Sequence, residues 1–442
     1  MERQHNIHKN FWGSGLVKVF LVLCVAATSV VAQNSSSDDS GYSTRSITAA
    51  SQFFDHDFVN LFVFANGVWD SRLPVLNTGG VGSGIGWEAG GGVNLSHEFR
   101  GGSITLNYSG SYRQYESSTF GGGTQQSLAL GVSKRLNRRW TFAANVSGGI
   151  MRYGSSYYSP SAFGTSVGSN PFSVASRFLS AGANLTYQQT HRLSYVFSGA
   201  YFLTNYSYAN AFSSRGYTGG VSALYRLTAR TTVGGSYSHS YYTYSQSGGT
   251  ADIDSGSLTL SHRFPDHWQL DLSGGVNRSH SQGTISIPVS LIFNGQPVTG
   301  YYTGPYNRTI YSPAFQAVIT RLYRHSSLSA AGGQSVLGGN GVFLTSRNQF
   351  ANGTYAYSTR HSNFSLGVNY TRLSSLSNTI AQTYAYDGFS ASYGVSLVRY
   401  LNANFRYDFI HYDGLFTYGG LNEHRLSFGL SLSSKSVPLT LF

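Results

Sequence analysis

From residue 58 onward, apolar and polar residues alternate in runs of about ten, separated in turn by tight polar turns and by longer Tyr/Gly/Ser segments. The clearest copy runs from residue 127 to 136, turns at Asn137-Arg138-Arg139 and returns through 140–149. Leu128, Leu130, Val132 and Leu136 share one face, and so do Trp140, Phe142, Ala144 and Val146. Ser127, Ser133, Arg135, Thr141, Asn145 and Ser147 occupy the other. A period of two with one apolar face predicts a strand, and two such runs about a tight turn predict a hairpin.

Comparable turns fall at Arg100-Gly101-Gly102, Thr190-His191, Thr228-Ala229-Arg230, Pro265-Asp266-His267, Arg324-His325, Arg360-His361 and Asn402-Ala403. These hairpins, a first strand near 58–67 and a last at 424–433, predict an all-β chain of about 18 strands. The first strand is the weakest, because Leu61-Phe62-Val63-Phe64 is apolar on both faces; without it and its closing partner the count is 16. A propeller would place four short strands in each repeat of about 40–45 residues. Here each repeat holds two strands of about ten, the length a tilted strand needs to span a bilayer.

Charge sharpens the choice. Arg113, Asp271, Arg406 and Asp408 lie inside strands and fall on the polar face, whereas Lys134, Arg278 and Arg399, on the apolar face, are expected only at strand ends. That distribution suits an apolar face in lipid, where a midplane Arg or Lys costs about 2–4 kcal/mol. A closed barrel also leaves no backbone donor or acceptor unpaired in the hydrocarbon. The expected fold is therefore a transmembrane antiparallel up-and-down barrel over 58–433, with short periplasmic turns, long extracellular loops and both termini in the periplasm. Phe99, Trp140, Tyr187, Tyr195, Trp268, Tyr357 and Phe405 flank the short turns and are expected to form an inner aromatic girdle; Tyr112, Tyr201 and Tyr241 would serve the outer one.

Composition agrees. Only 10% of the 442 residues are charged and 15% are aromatic, with 33 Tyr and 53 Gly, against about 25% charged in a soluble domain. Arg3, Lys9 and Lys18 precede an apolar run to Val31, and Val30-Val31-Ala32 has the small residues of a cleavage site, so 1–32 is expected to be a signal peptide. Residues 33–57 read as a polar leader and 434–442 as a tail. The single cysteine, Cys24, lies in the signal segment, which leaves no disulfides. The formal net charge of +12 is dispersed rather than patched, which argues against nucleic acid.

On these features the chain resembles Gram-negative outer-membrane barrels and, more narrowly, uncharacterised β-barrel porins; the terminal Phe442 adds to the likeness, although Pro438 interrupts the segment before it. The resemblance implies lipid and the outer-membrane assembly machinery as partners. A barrel of about 16 to 18 strands encloses an aqueous lumen, so a passive channel for small polar solutes is expected, not an enzyme. The sequence has no His-x-x-x-His or cysteine ligand set, so no cofactor and no metal are expected, and the oligomeric state stays open. The lumen candidates are Arg113, Arg135, Arg226, Arg263, Asp271, Arg406, Asp408 and Arg425, in a wall rich in Ser, Thr and Asn. Such a wall would pass polar solutes and mildly favour anions; alternatively, arginines such as Arg406 pair with acids such as Asp408 and only hold the wall. The segment 279–309 would either fold into the pore or extend as a hairpin with a turn at Asn294-Gly295. Tyr157-Tyr158, Tyr241-Tyr242 and Tyr301-Tyr302 could stack on sugars. Competing readings are an adhesive barrel whose loops bind a partner, a polysaccharide-export barrel, and, least favoured, a hydrolase using His411 and Asp413.

Overall fold

The computed structural model describes residues 58–74, 81–116, 122–151, 176–206, 213–245, 249–293, 296–338, 343, 345–359, 361–376, 383–413 and 421–434. The expected signal peptide and leader, Tyr157-Tyr158, Asn294-Gly295, Pro438 and Phe442 lie outside these residues.

The described chain forms β1 (Phe58–Pro74), β2 (Val81–Phe99), β3 (Gly102–Tyr115), β4 (Gly123–Arg135), β5 (Trp140–Met151), β6 (Ser176–Gln188), β7 (Leu193–Tyr206), β8 (Ser214–Arg226) and β9 (Thr231–Tyr244). It continues with β10 (Thr250–Arg263), β11 (Trp268–Phe293), β12 (Gln296–Leu322), β13 (Ser326–Gly338), β14 (Thr345–Ser358), β15 (Ser362–Ser375), β16 (Thr383–Val398), β17 (Leu401–Asp413) and β18 (Leu421–Ser433). Each pairs antiparallel with its neighbours in sequence, and β1 pairs with β18, so the 18-stranded sheet closes into a barrel. Closure is what lets an all-β wall stand in lipid, because it leaves no sheet edge.

The short turns share a local chemistry. The Asn137 side chain accepts from the backbone N–H of Arg139 and Trp140 at 2.8 and 2.9 Å. The Thr190, Thr228 and Thr359 hydroxyls each take the same two positions in their own turns. A side-chain oxygen that mimics a backbone acceptor tightens the reversal without needing glycine. The turn at Asp266 and His267 instead places both residues in the left-handed region, at φ of 61° and 64°. The last short turn differs from its expected place: it lies at Arg399-Tyr400, and Asn402-Ala403 already belong to β17, where Asn402 pairs with Ser396 and Ser431.

The outward face carries the large exposed apolar side chains, among them Leu258, Val276, Phe315 and Phe428. Among the described residues no charged side chain interrupts this face at mid-height. Charge returns at one level toward the long-loop end, where Asp254 accepts from His239 at 2.9 Å, Tyr237 at 2.9 Å and Arg278 at 3.0 Å. Arg278 is therefore not at a strand end, since β11 runs on to Phe293. It marks the end of the apolar band instead. Trp268 to Arg278 is about ten residues; at about 3.3 Å each and a tilt of about 40°, that is a band of about 25 Å, the height of a hydrocarbon core.

The doubly apolar start of β1 has a packing reason. Leu61 and Val63 point outward, whereas Phe62 and Phe64 point inward and reach over Gly92 and Gly90 of β2. A Cβ on those glycines would stand 2.7 and 2.8 Å from the rings. The first strand is real and longer than expected, reaching Pro74.

Candidate functional site

Two parts of the inner face are built differently. The first lies where the barrel closes. Asp70 of β1, fully buried, accepts from Arg425 of β18 and from the Tyr115 hydroxyl of β3. Arg425 also binds Glu423 at 3.0 Å. On the other side Arg113 of β3 grips Glu88 of β2 at 2.7 Å and stands 3.8 Å from Asp70. On β17, Arg406 holds both oxygens of Asp408, at 3.0 and 2.9 Å, and Asp408 is the cross-strand partner of Arg425. Alternate residues of five neighbouring strands thus form one charged ladder. Its carboxylates, Asp70, Glu88, Asp408 and Glu423, exceed its guanidiniums, Arg113, Arg406 and Arg425, by one, so the ladder itself offers no positive excess. The seam is stitched beyond the ladder as well: Leu61 and Ser434 exchange bonds of 2.9 and 2.7 Å, and the His424 N–H donates to Ser71 at 2.8 Å.

The second part lies between β12 and β13. Their pairing begins at Leu322↔Ser327 and stops at Phe315↔Gln334, although both strands continue. At the next outward-facing position β12 carries Pro313, which has no N–H to give. Its carbonyl takes the Gln334 side-chain amide at 2.9 Å, and Gln334 in turn accepts from Gln349 of β14 at 2.9 Å. Gly333 stands at the parting; a Cβ there would meet the Phe315 carbonyl oxygen at 2.4 Å.

Beyond this point the ends of β13 and β14 pass inside the wall. Val336 and Gly338 belong to the outward parity of β13, the face of Leu328, yet Val336 is buried in a cluster with Tyr242, Tyr244, Ala251 and Ile253 from the inner faces of β9 and β10. A Cβ on Gly338 would stand 2.9 Å from the Tyr242 ring. Eighteen strands spaced about 4.8 Å apart and tilted about 40° make a ring roughly 35 Å wide, on which β9 and β13 would stand roughly 20 Å apart. A tyrosine cannot bridge that, so the strand ends must come inward. Ser281, on the inner face of β11, meets Thr345, on the outward parity of β14, at 3.1 Å. The Tyr306 hydroxyl donates to the Leu376 carbonyl at 3.3 Å. Phe343, between β13 and β14, packs on Leu373 and Tyr384 from β15 and β16. The wall is thus lapped here, with β9–β12 outside and the ends of β13 and β14 inside, sealed by apolar side chains.

This changes the expectation for 279–309. Those residues form a continuous antiparallel ribbon, paired from Trp268↔Arg321 to Phe293↔Gln296, whose strand β11 leaves β10 after Gln282. The inward element is the end of the β13–β14 hairpin. Its trace in the sequence is the Val336-Leu337-Gly338-Gly339 and Val342-Phe343-Leu344 pattern, apolar on both parities around glycines.

The other residues singled out in the sequence stand as follows. Asp271 is held by the Gln269 amide at 3.2 and 3.0 Å. Arg135, Arg226 and Arg263 end β4, β8 and β10 beside the short turns. At the same level Trp140 stacks on Tyr187 with centroids 4.6 Å apart, Tyr187 pairs with Tyr195, Lys134 stands 5.8 Å over Phe99, and Arg321 lies over Trp268 at 4.8 Å. Tyr357 and Phe405 are exposed on the outward face. At the opposite level Tyr241 lies against Tyr217 and Tyr112 against Trp87 in tilted pairs, and Tyr201 is exposed. His411 bonds Asn422 at 2.6 Å on the outward face, away from the interior. Sequence reading passed over Asp70, Glu88, Tyr115 and Glu423. Glu423 and Arg425, two apart on one face, were a usable signal for the ladder.

No protein-family model matches the chain, and no curated protein matches it in sequence. Among solved structures it is similar to a BenF-like porin from Pseudomonas fluorescens Pf-5, at 12% identity over 86% of this chain and 100% of that one, with a TM-score of 0.42. It is also similar to Pseudomonas aeruginosa OccK2 (OpdF), at 11% identity over 85% and 98% of the two chains and a TM-score of 0.39. The outer membrane protein opdK from Pseudomonas aeruginosa stands at 10% identity over 85% and 99%, with a TM-score of 0.39.

Proposed function

We propose that the chain is an outer-membrane channel through which small polar solutes diffuse passively, with its short turns and both termini in the periplasm and its long loops outside. The observation that carries this reading is the opposition of the two faces: an uncharged apolar band of about 25 Å outside, and a charged, hydrogen-bonded ladder inside. The orientation rests on the unequal connections, because barrels of this kind keep their short turns on the periplasmic side.

The charged ladder is internally neutralised, so it sets the wall's polarity rather than its sign. A weak anion bias therefore rests on basic residues outside the ladder, such as Arg135 near the periplasmic rim. Reconstitution in planar bilayers tests both points. Stable conductance steps with a small anion-side reversal potential support the reading; steps with cation selectivity refute the bias alone, and a silent membrane refutes the channel. The lapped ends of β13 and β14, which take up part of the interior, favour the adhesive barrel as the second reading, and a silent membrane would support it.

A further inference from the structure

We propose that the ends of β13 and β14 form a door that swings between the lapped position and one clear of the interior, so that the lap is the gate of the channel; this rests on the channel reading above. The door hangs on β15, since the β14–β15 ladder remains paired up to Ser346↔Ser375. Its free edge is β13, which has lost β12 above Phe315↔Gln334.

Every described bond across the lap involves a side chain. They include Ser281 to Thr345, Tyr306 to the Leu376 carbonyl, Gln334 to the Pro313 carbonyl and the Tyr242 hydroxyl with the Gly338 backbone, beside the seating of Gly338 against the Tyr242 ring. No backbone ladder has to break for the two layers to separate. Opposing tendencies act on it. The apolar cluster of Tyr242, Tyr244, Ala251, Ile253 and Val336 favours closure by excluding water. Ser279 Oγ, Arg347 Nε and Asn348 Oδ1, in the door and on the layer outside it, are buried without a hydrogen-bond partner among the described residues. An unpaired buried polar group is costly, and that cost is relieved when water enters. A contact held by apolar burial and opposed by unmet hydrogen bonds is suited to opening and closing.

The test uses the full chain with Cys24→Ser, so that two new cysteines, Ser281→Cys and Thr345→Cys, pair only with each other. An oxidant bridges them across the lap and dithiothreitol releases them. The expected record is a single low conductance level when bridged, with transitions to a level several-fold higher returning on reduction. Identical records in the two states, with bridging verified by mass, overturn the door. If the reduced protein and the wild type are both silent, the channel reading fails, and the door is then judged by labelling. Thr345→Cys alone, in the folded barrel, is expected to react slowly with an impermeant maleimide, and at least tenfold faster when Gly338→Val wedges the Tyr242 ring away. Complete protection in both backgrounds, with the unfolded protein fully labelled, overturns it.

Discussion

The two seams of this barrel solve opposite problems. Where β1 meets β18, the chain joins its first and last strands, and a loose end would open the whole wall. There nine consecutive residues pair, from Phe62↔Ser433 to Asp70↔Arg425, the ends are extended by Ser71 and Ser434, and ionic bonds join four strands behind them. Between β12 and β13 the connection is a short turn, so the strands stay tethered even where they part. There the ladder stops halfway, and apolar side chains and a few single bonds take over. Directional, charged contacts fix one geometry, whereas non-directional burial tolerates sliding. The comparison teaches that the barrel is closed by the first kind and kept adjustable by the second.

The largest break in this comparison is expected at the closure seam. Asp70→Ala leaves Arg425 and Tyr115 facing a buried gap, and removing one partner of a buried ion pair costs about 3–5 kcal/mol. Urea unfolding of the lipid-folded barrel should show that loss, with single-channel conductance of the surviving folded fraction unchanged. A matched pair of glycines comes next. Gly333→Val crowds the Phe315 carbonyl and Gly429→Val crowds the Ala65 carbonyl, at Cβ distances of 2.4 and 2.3 Å. Both should cost about 1–3 kcal/mol, but only the first should raise conductance, since only that seam can yield inward or outward.

Smaller effects sharpen the contrast. Gln334→Ala removes the amide that substitutes for a ladder bond at Pro313, a loss of about 0.5–1.5 kcal/mol, and should lengthen open times in bilayer recordings. Arg406→Gln should cost about 1 kcal/mol, because the glutamine amide can still donate to the buried Asp408 carboxylate. It leaves Asp408 without its ion pair, so the reversal potential should move toward cations. An unchanged potential would mean that the ladder lies off the path of the ions.

The strands and their faces were legible because a period of two repeats over eighteen segments, and a single misjudged turn, such as Asn402 for Arg399-Tyr400, leaves the parity intact. The charged ladder was half legible. Arg113, Arg406, Asp408 and Arg425 stood out on a polar face, but Asp70 lay beyond the expected end of the first strand, and Glu88 sits among glycines whose purpose shows only when Phe62, Phe64 and Tyr115 lie over them. The lap was not legible. Which long segment turns inward depends on contacts such as Tyr242 with Gly338 and Ser281 with Thr345, made by residues far apart in the chain. Local pattern carries no record of them, and the strand-like run at 285–293 drew attention to the wrong hairpin.

All of this depends on lipid bathing one face of each strand and water the other. The direct measurement places a fluorophore in turn at each position from 270 to 276 on β11 of the reconstituted protein and quenches it with brominated lipid or with aqueous iodide. Leu270, Leu272, Gly274 and Val276 should respond to the lipid quencher, and Asp271, Ser273 and Gly275 to iodide. Equal response of neighbouring positions to one quencher would contradict the account.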